Sequence, residues 1–118
     1  MWKKMSYQMH PMMPKITLSS NYTMFFNKAF VLQFKIKTKK CVEVFFDEDN
    51  LRLGLMFHSA PTEDSTRVRN AKGSYSVSVT SLVKTYEIDY REYGFENVRY
   101  DTSNKMIIAD LVSKNKGI

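Results

Sequence analysis

The fold is decided by Val42-Glu-Val-Phe-Phe-Asp-Glu-Asp-Asn-Leu-Arg-Leu-Gly-Leu55, which matches a later stretch, Asn97-Val-Arg-Tyr-Asp-Thr-Ser-Asn-Lys-Met-Ile-Ile-Ala109. In each stretch an aromatic residue is followed by aspartate and, three residues further, by asparagine, and strand-like runs flank this core. The aspartate side chain can start a turn, and asparagine tolerates the left-handed conformation at its end. Each stretch therefore predicts a β-hairpin, with its turn at Asp47–Asn50 or Asp101–Asn104.

Upstream of each hairpin, a second pair of matching segments predicts a strand and a short helix. Tyr22–Asn27 matches Tyr75–Thr80, and each segment ends in a residue suited to the helix N-cap, Asn27 or Thr80. After a one-residue shift four further positions match: Phe30 with Leu82, Val31 with Val83, Phe34 with Tyr86, and Ile36 with Ile88. The first three pairs have the i, i+1, i+4 spacing of one helix face, which predicts about two helical turns in each half.

The order in each half is thus strand, short helix, strand, Asp–Asn hairpin, strand. Chance similarity between two β-rich segments is the alternative, and we favour duplication. A unit of about 45 residues buries too little apolar surface to offset its chain entropy, so the two units are expected to share one core. We predict a mainly β fold with short helices, arranged as a pseudo-symmetric β-barrel built from two internal repeats.

The predicted organisation has five parts: a flexible N-terminal arm (1–14), a first repeat (15–58), a linker (59–71), a second repeat (72–112) and a frayed tail (113–118). The arm has no hydrophobic period, and the linker is rich in Ser, Thr, Pro and charge. The predicted shared core comprises Phe25 or Phe26, Phe30, Phe34, Val44, Phe46, Leu53, Val77, Val79, Leu82, Tyr86, Tyr100 and Ile107.

Composition excludes several classes of protein. The 118 residues are 43% hydrophobic, which suits a globular domain rather than a disordered tail. The single cysteine, Cys41, excludes an internal disulfide framework and a cysteine-rich zinc site. No apolar run approaches the roughly 18 residues of a membrane helix, and the first residues lack the apolar block of a secretory signal. We therefore expect a soluble, cytoplasmic protein with no membrane partner.

The order of elements resembles the AbrB/SpoVT/MazE family of swapped-hairpin DNA-binding domains, in which a half-barrel pairs with a second copy. The resemblance covers Lys15–Phe57 and, more loosely, Lys72–Leu111, so one chain would supply both halves. The run Val42–Val44 fits the family's strand after the helix. The family's glycines are replaced here, by Asn21, Lys35 and Lys40. The resemblance implies a swapped-hairpin barrel and a DNA-binding role, although the family's DNA-contacting arginines are mostly missing.

Basic residues are the candidate nucleic-acid contacts. Residues 1–58 carry nine basic and four acidic side chains, whereas 59–118 carry nine and eight, so a one-sided basic face is expected within the net charge of +6. The alternative is a solvated loop whose lysines prevent sheet edges from aggregating. The predicted set comprises Lys15, Lys35, Lys37, Lys39, Lys40, Arg67, Arg69 and Lys72.

The chain has more Phe and Tyr residues than one small core must absorb, and the loop around Tyr90, Tyr93 and Phe95 is the candidate exposed group. These aromatic side chains could face a protein partner or stack on single-stranded bases beside Arg91 and Arg99. They could also simply cover the open ends of a barrel.

Metal binding and catalysis have little support in the sequence. His10 and its neighbouring methionines, which suit a soft cation, are better explained as part of a flexible arm, and His58 is expected at the surface at a strand end. Cys41 is expected to be a small buried side chain rather than a nucleophile. The acidic turn Asp47–Asp49 lacks the calcium-loop layout, and no phosphate loop or nucleophile motif occurs. We expect a non-enzyme without cofactor or metal.

Two functions are compatible with these features. The first is a nucleic-acid-binding module, such as a DNA-binding transcription regulator or an antitoxin-type repressor. The second is a protein-interaction module, such as a small phage or mobile-element protein that binds another protein. The positive charge, the lysine cluster and the resemblance favour the first, while the aromatic residues and the missing arginines favour the second. A homo-oligomer is left open.

Overall fold

The computed structural model of the chain describes residues 1–2 and 13–114. Most of the predicted arm, with His10 and the nearby Met5, Met9 and Met12, and the end of the predicted tail therefore lie outside the described residues. In chain order the elements are β1 (Ile16–Leu18), β2 (Thr23–Phe26), α1 (Lys28–Gln33), a 3-10 helix (Ile36–Thr38), β3 (Cys41–Asp47), β4 (Arg52–His58), β5 (Thr66–Arg67), β6 (Arg69–Ala71), β7 (Ser74–Ser78), α2 (Thr80–Tyr86), β8 (Tyr93–Asp101) and β9 (Met106–Ser113).

The fold is mainly β, as predicted, and its strands form two antiparallel sheets. The four-stranded sheet has the order β1-β2-β7-β6, and the five-stranded sheet has the order β5-β3-β4-β9-β8. The predicted closed barrel is not found among the described strands. β1 lies against β8 without a hydrogen-bonded ladder, and β8 has a bulge between Glu96 and Arg99, where Asn97 has a φ of 57°. The bulge bends β8 and interrupts the regular edge that a closing ladder would need.

Each sheet contains one pairing that joins the two halves of the chain. β2 pairs with β7, with Met24 opposite Val77, and β4 pairs with β9, with Gly54 opposite Ile108. These are also positions that the sequence comparison places over each other. If a two-fold rotation related the two halves, residues that match in sequence would lie opposite each other where the halves pair. The strand order of each sheet would then be the same when read from either end. The observed orders follow this pattern, with β5 added at one edge.

The buried core draws on both halves. The largest fully buried side chains are Met24, Phe30, Ile36, Val42, Leu53, Leu55 and Val77. Of the predicted core, Phe26, Val79 and Ile107 are also buried, and Phe34, Val44, Phe46 and Leu82 are partly buried. The prediction was wrong for Tyr86 and Tyr100, which are 37% and 53% exposed. Tyr86 ends α2, and Tyr100 lies beside the β8–β9 turn, so both stand at the rim of the core.

The two helix N-caps differ. The Asn27 side chain accepts a hydrogen bond from the Phe30 N–H at 2.9 Å, which confirms the predicted cap. Thr80 is instead the first residue of α2, and the cap position is occupied by Val79, which makes no side-chain cap hydrogen bond. Because the Val79 side chain is buried, we attribute this difference to core packing, which outweighs the capping preference of Thr80.

Both Asp–Asn turns form, and their left-handed residue is one position later than predicted. The Asp47 carboxylate accepts hydrogen bonds from the Asn50 N–H at 3.2 Å and from the Asn50 side-chain amide at 2.9 Å, and Asn104 bonds to Asp101 in the same way. Positive φ falls on Leu51 (51°) and Lys105 (55°) rather than on the asparagines. Each is the last residue of a four-residue hairpin loop, and the asparagine side chain is already committed to the aspartate.

The predicted linker, 59–71, contains two short strands. β5 adds to the edge of β3, and β6 pairs with β7 through a tight turn at Lys72 and Gly73, whose φ values are 54° and 87°. Neither strand shows hydrophobic alternation, and Val68, which lies between them, is the one buried residue of 66–71. Their formation depends on the neighbouring strands rather than on their own sequence.

Replacing Met24 by alanine should destabilise the protein by about 2–5 kcal/mol, because it removes a fully buried side chain at the pairing of β2 with β7. The matched control is Phe25→Ala in the same strand, where the side chain is 39% exposed. Urea unfolding followed by circular dichroism measures both. Equal losses in the two variants would contradict the assignment of the core to the Met24 side of β2.

Replacing Asn50 by alanine should raise the pKa of Asp47, which is lowered from 3.8 to about 2, first by the Asn50 side chain and then by Arg52. Since the folded pKa lies below the ordinary one, ionised Asp47 stabilises the fold above pH 3.8, and this contribution is lost as the pH falls towards 2. Carboxyl-carbon NMR titration measures the pKa. In the control variant Asn104→Ala the Asp47 titration should not move, and a shift there would contradict the local cause.

Candidate nucleic-acid interface

Four of the predicted basic residues lie on the connector between α1 and β3. Lys35 lies two residues after the last residue of α1, in the left-handed conformation with φ 53° and ψ 47°, and the 3-10 helix follows it. The Ile36 side chain is fully buried, and the Lys39 N–H donates to the Ile36 carbonyl at 3.0 Å. This anchor fixes the backbone of the connector, while the side chains of Lys35, Lys37 and Lys40 are exposed and that of Lys39 is partly buried.

The strand β5 brings Arg67 to the edge of β3, and Arg69 follows two residues later at the start of β6. Arg67 lies opposite Cys41 in the β3–β5 pairing, and the Val68 N–H donates to the Lys40 carbonyl at 2.8 Å. Val68 is buried and anchors the chain, and its two neighbours, Arg67 and Arg69, are exposed. We call the resulting surface the basic ridge, and it comprises Lys35, Lys37, Lys39, Lys40, Arg67 and Arg69.

Two other predicted residues occupy different places. Lys72 is exposed at the tip of the β6–β7 hairpin, three residues beyond Arg69. Lys15 precedes β1, which is the opposite outer strand of the four-stranded sheet from β6. The structure therefore gathers most of the predicted set and leaves Lys15 apart from the ridge.

The charges of the ridge are not neutralised by described carboxylates. The ion pairs of the described residues use other arginines: Arg52 lies 2.8 Å from Asp47, Arg91 lies 3.1 Å from Asp89, and Arg99 lies 3.3 Å from Asp110. Hydrogen bonds to the three carboxylates, some of them donated by these arginines, lower the pKa values of the carboxyl groups. The pairs therefore remain ionised at neutral pH. No ridge cation takes part in an ion pair within the described part of the chain.

Cys41 and His58, which were considered for catalytic and metal chemistry, lie in the five-stranded sheet. Cys41 is buried, as predicted. His58 was expected at the surface and is instead partly buried at the end of β4, where its Nε2 lies 2.9 Å from the Glu43 carboxylate. Thr62 donates a hydrogen bond to the same carboxylate oxygen at 2.9 Å. Residues 1–2 and 13–114 contain no group of three side chains suited to hold a metal ion.

The predicted aromatic surface is not formed. Phe95 is buried at 7% exposure on the core side of β8, and Tyr90 and Tyr93 are partly buried against the core. The arginines expected beside them, Arg91 and Arg99, are held by aspartates. Side chains alternate between the two faces of β8, and Phe95 lies on the core side. The bulge at Asn97 interrupts this alternation, so the sequence of β8 does not show a regular period of two.

The sequence analysis missed two residues next to the ridge, the exposed Tyr100 and Lys105. Both line a cleft of about 440 Å³ that also includes Lys35 and Lys39. Tyr100 had been assigned to the core because it matches Phe46. Lys105 follows Asn104 in the β8–β9 turn, and nothing local indicates that this turn faces the end of α1.

The described helices are short, and none is long and apolar enough to cross a bilayer. The arrangement offers cations on a fixed backbone, and none of them takes part in an ion pair among the described residues. Comparison with protein-family models, with curated proteins and with solved structures finds no match to the chain.

Proposed function

We propose that the protein is a nucleic-acid-binding module that contacts phosphates through the basic ridge. The observation that carries this proposal is the gathering of unneutralised cations at one edge by the β3–β5 pairing. Lysine contacts phosphate as a point charge, and each contact releases counterions, which favours binding without base readout. The resemblance described above adds the role of a DNA-binding transcription regulator or antitoxin-type repressor.

We further propose that the chain is an internal duplication of a swapped-hairpin unit. The register of the two pairings between the halves supports this, as do the left-handed residues Lys35 and Glu87, which follow α1 and α2 at matching sequence positions with φ values of 53° and 52°. In the family that the chain resembles, a glycine stands at the position of Lys35, and glycine is the residue that adopts this conformation at least cost.

Contacts between the halves support an exchange of hairpins. The Tyr86 ring, from α2 in the second half, lies 4.5 Å from the Phe46 ring, which belongs to the hairpin of the first half. In the other direction Phe34 at the end of α1 lines a cleft together with Tyr100 and Met106 of the second hairpin. Helix α2 thus packs against the hairpin of the first half, while α1 contacts Phe57 of its own half and shares its cleft with the second hairpin.

Cutting the chain in the loop between β4 and β5 tests the shared core. Fragments 1–62 and 63–118 should each be unfolded alone, because β2 and β4 lose their partners, and they should fold when mixed. Circular dichroism of the separate and mixed fragments is the measurement, and the uncut protein is the control. A cooperatively folded isolated 1–62 would contradict the duplication with a shared core.

Changing Lys35, Lys37, Lys39 and Lys40 together to glutamine should weaken binding to duplex DNA of every sequence alike. Each lost phosphate contact lowers the slope of log affinity against log salt by about 0.9, so the slope should flatten by roughly two to four units. Fluorescence anisotropy over a salt series measures it. The fold should be retained because these side chains are not in the core.

The matched control changes four lysines outside the ridge, Lys15, Lys28, Lys84 and Lys114, to glutamine and removes the same net charge. This control should retain most of the parent slope. A parent protein that does not bind at about 50 mM salt would contradict the proposed function, and so would equal slopes in the two variants. Either result would favour a protein partner.

A further inference from the structure

The cleft beside the ridge lies between the end of α1 and the β8–β9 hairpin and has a volume of about 440 Å³. Its apolar lining includes Leu55, Phe57 and Ile107, and its basic residues are Lys35, Lys39 and Lys105. No carboxylate lines it. A cavity with an apolar floor and a cationic rim suits a ligand that is both planar and anionic.

The cleft also has an aromatic side chain with an open face. Tyr100 is 53% exposed, and the ring contacts found among the described residues do not include it. Phe34, which shares the cleft, is held edge-on against Phe30 with ring centroids 4.8 Å apart. Phe34 is thus fixed in place, while the Tyr100 ring is available to a ligand.

The matching cleft beside α2 also has an apolar lining, but no lysine or arginine lines it. Its volume is about 510 Å³, and it is lined by Phe46 and Tyr86, the counterparts of Tyr100 and Phe34. Their rings lie against each other, 4.5 Å apart, and Asp64 adds a carboxylate. The counterparts of Lys35 and Lys105 are Glu87 and Leu51. Of the two clefts, only the one beside α1 is lined by lysines and has an exposed aromatic ring that contacts no other described ring.

We propose that this cleft binds an unpaired base of a single-stranded nucleic acid, stacked on Tyr100, with the flanking phosphates on Lys35, Lys39 and Lys105. This inference deepens the proposed function and rests on it, since Lys35 and Lys39 belong to the ridge. A base within a duplex is already stacked and cannot enter, whereas every unpaired base offers a face to an aromatic ring. The ridge then follows the backbone of the strand away from the cleft.

Anisotropy titrations of the intact protein with labelled oligothymidine of about 12 nucleotides, with an abasic strand of equal length and with a duplex test the proposal. Tyr100→Ala should weaken oligothymidine binding roughly 5-fold to 150-fold and leave abasic and duplex affinities within about 2-fold. Lys105→Gln should weaken binding to both single strands and lower their salt slope by about 0.7.

Two controls make the result specific. Tyr86→Ala removes an exposed tyrosine from the matching cleft and should leave oligothymidine affinity unchanged, as Lys84→Gln should for a lysine on α2. Thermal unfolding verifies that each variant is folded. An equal loss in Tyr86→Ala and Tyr100→Ala would overturn the location of the site.

The failures of the two proposals are distinguishable. A parent protein that binds oligothymidine and the abasic strand equally, or a Tyr100→Ala variant that binds like the parent, overturns the stacking site and leaves phosphate binding by the ridge intact. A parent that binds none of the three probes at low salt overturns both proposals.

Discussion

The antiparallel pairings of β2 with β7 and of β4 with β9 are the constraint on which the rest of the structure depends. Without them each half would retain only small hairpins, which are marginal in water. The pairings cover the apolar faces of Met24 and Val77 in one sheet and of Leu53 and Leu55 in the other, all of which are at most 1% exposed.

A second consequence of this arrangement is electrostatic. Three aspartates, at the end of β3, in the loop between α2 and β8, and in β9, hold Arg52, Arg91 and Arg99. The cations left without such partners are the lysines and the two arginines around Val68, whose positions follow from the β3–β5 pairing. Ion pairing thus neutralises three arginines elsewhere in the described chain, whereas the cations of the ridge take part in no ion pair there. The net charge of +6 alone does not indicate this location.

Local chemistry made part of this structure predictable. The Asp–Asn turns and the Asn27 cap were predictable because each depends on hydrogen bonds within a few residues, and the matching of Met24 with Val77 followed from comparing the two halves. The burial of Phe95 and the exposure of Tyr100 were not predictable, since a bulge changes which side of β8 faces the core. The two strands β5 and β6 and the position of Lys105 beside α1 depend on neighbours distant in sequence.

The pairing between the halves also affects how the chain can fold during its synthesis on the ribosome. Met24 pairs with Val77 and Gly54 with Ile108, so partners are separated by more than fifty residues along the chain. At a synthesis rate of about 5–20 residues per second, β2 and β4 wait for several seconds on the ribosome before their partners emerge. During that time both have unpaired edges and uncovered apolar side chains. Slower translation prolongs this exposure of the nascent first half, and with it the opportunity for aggregation.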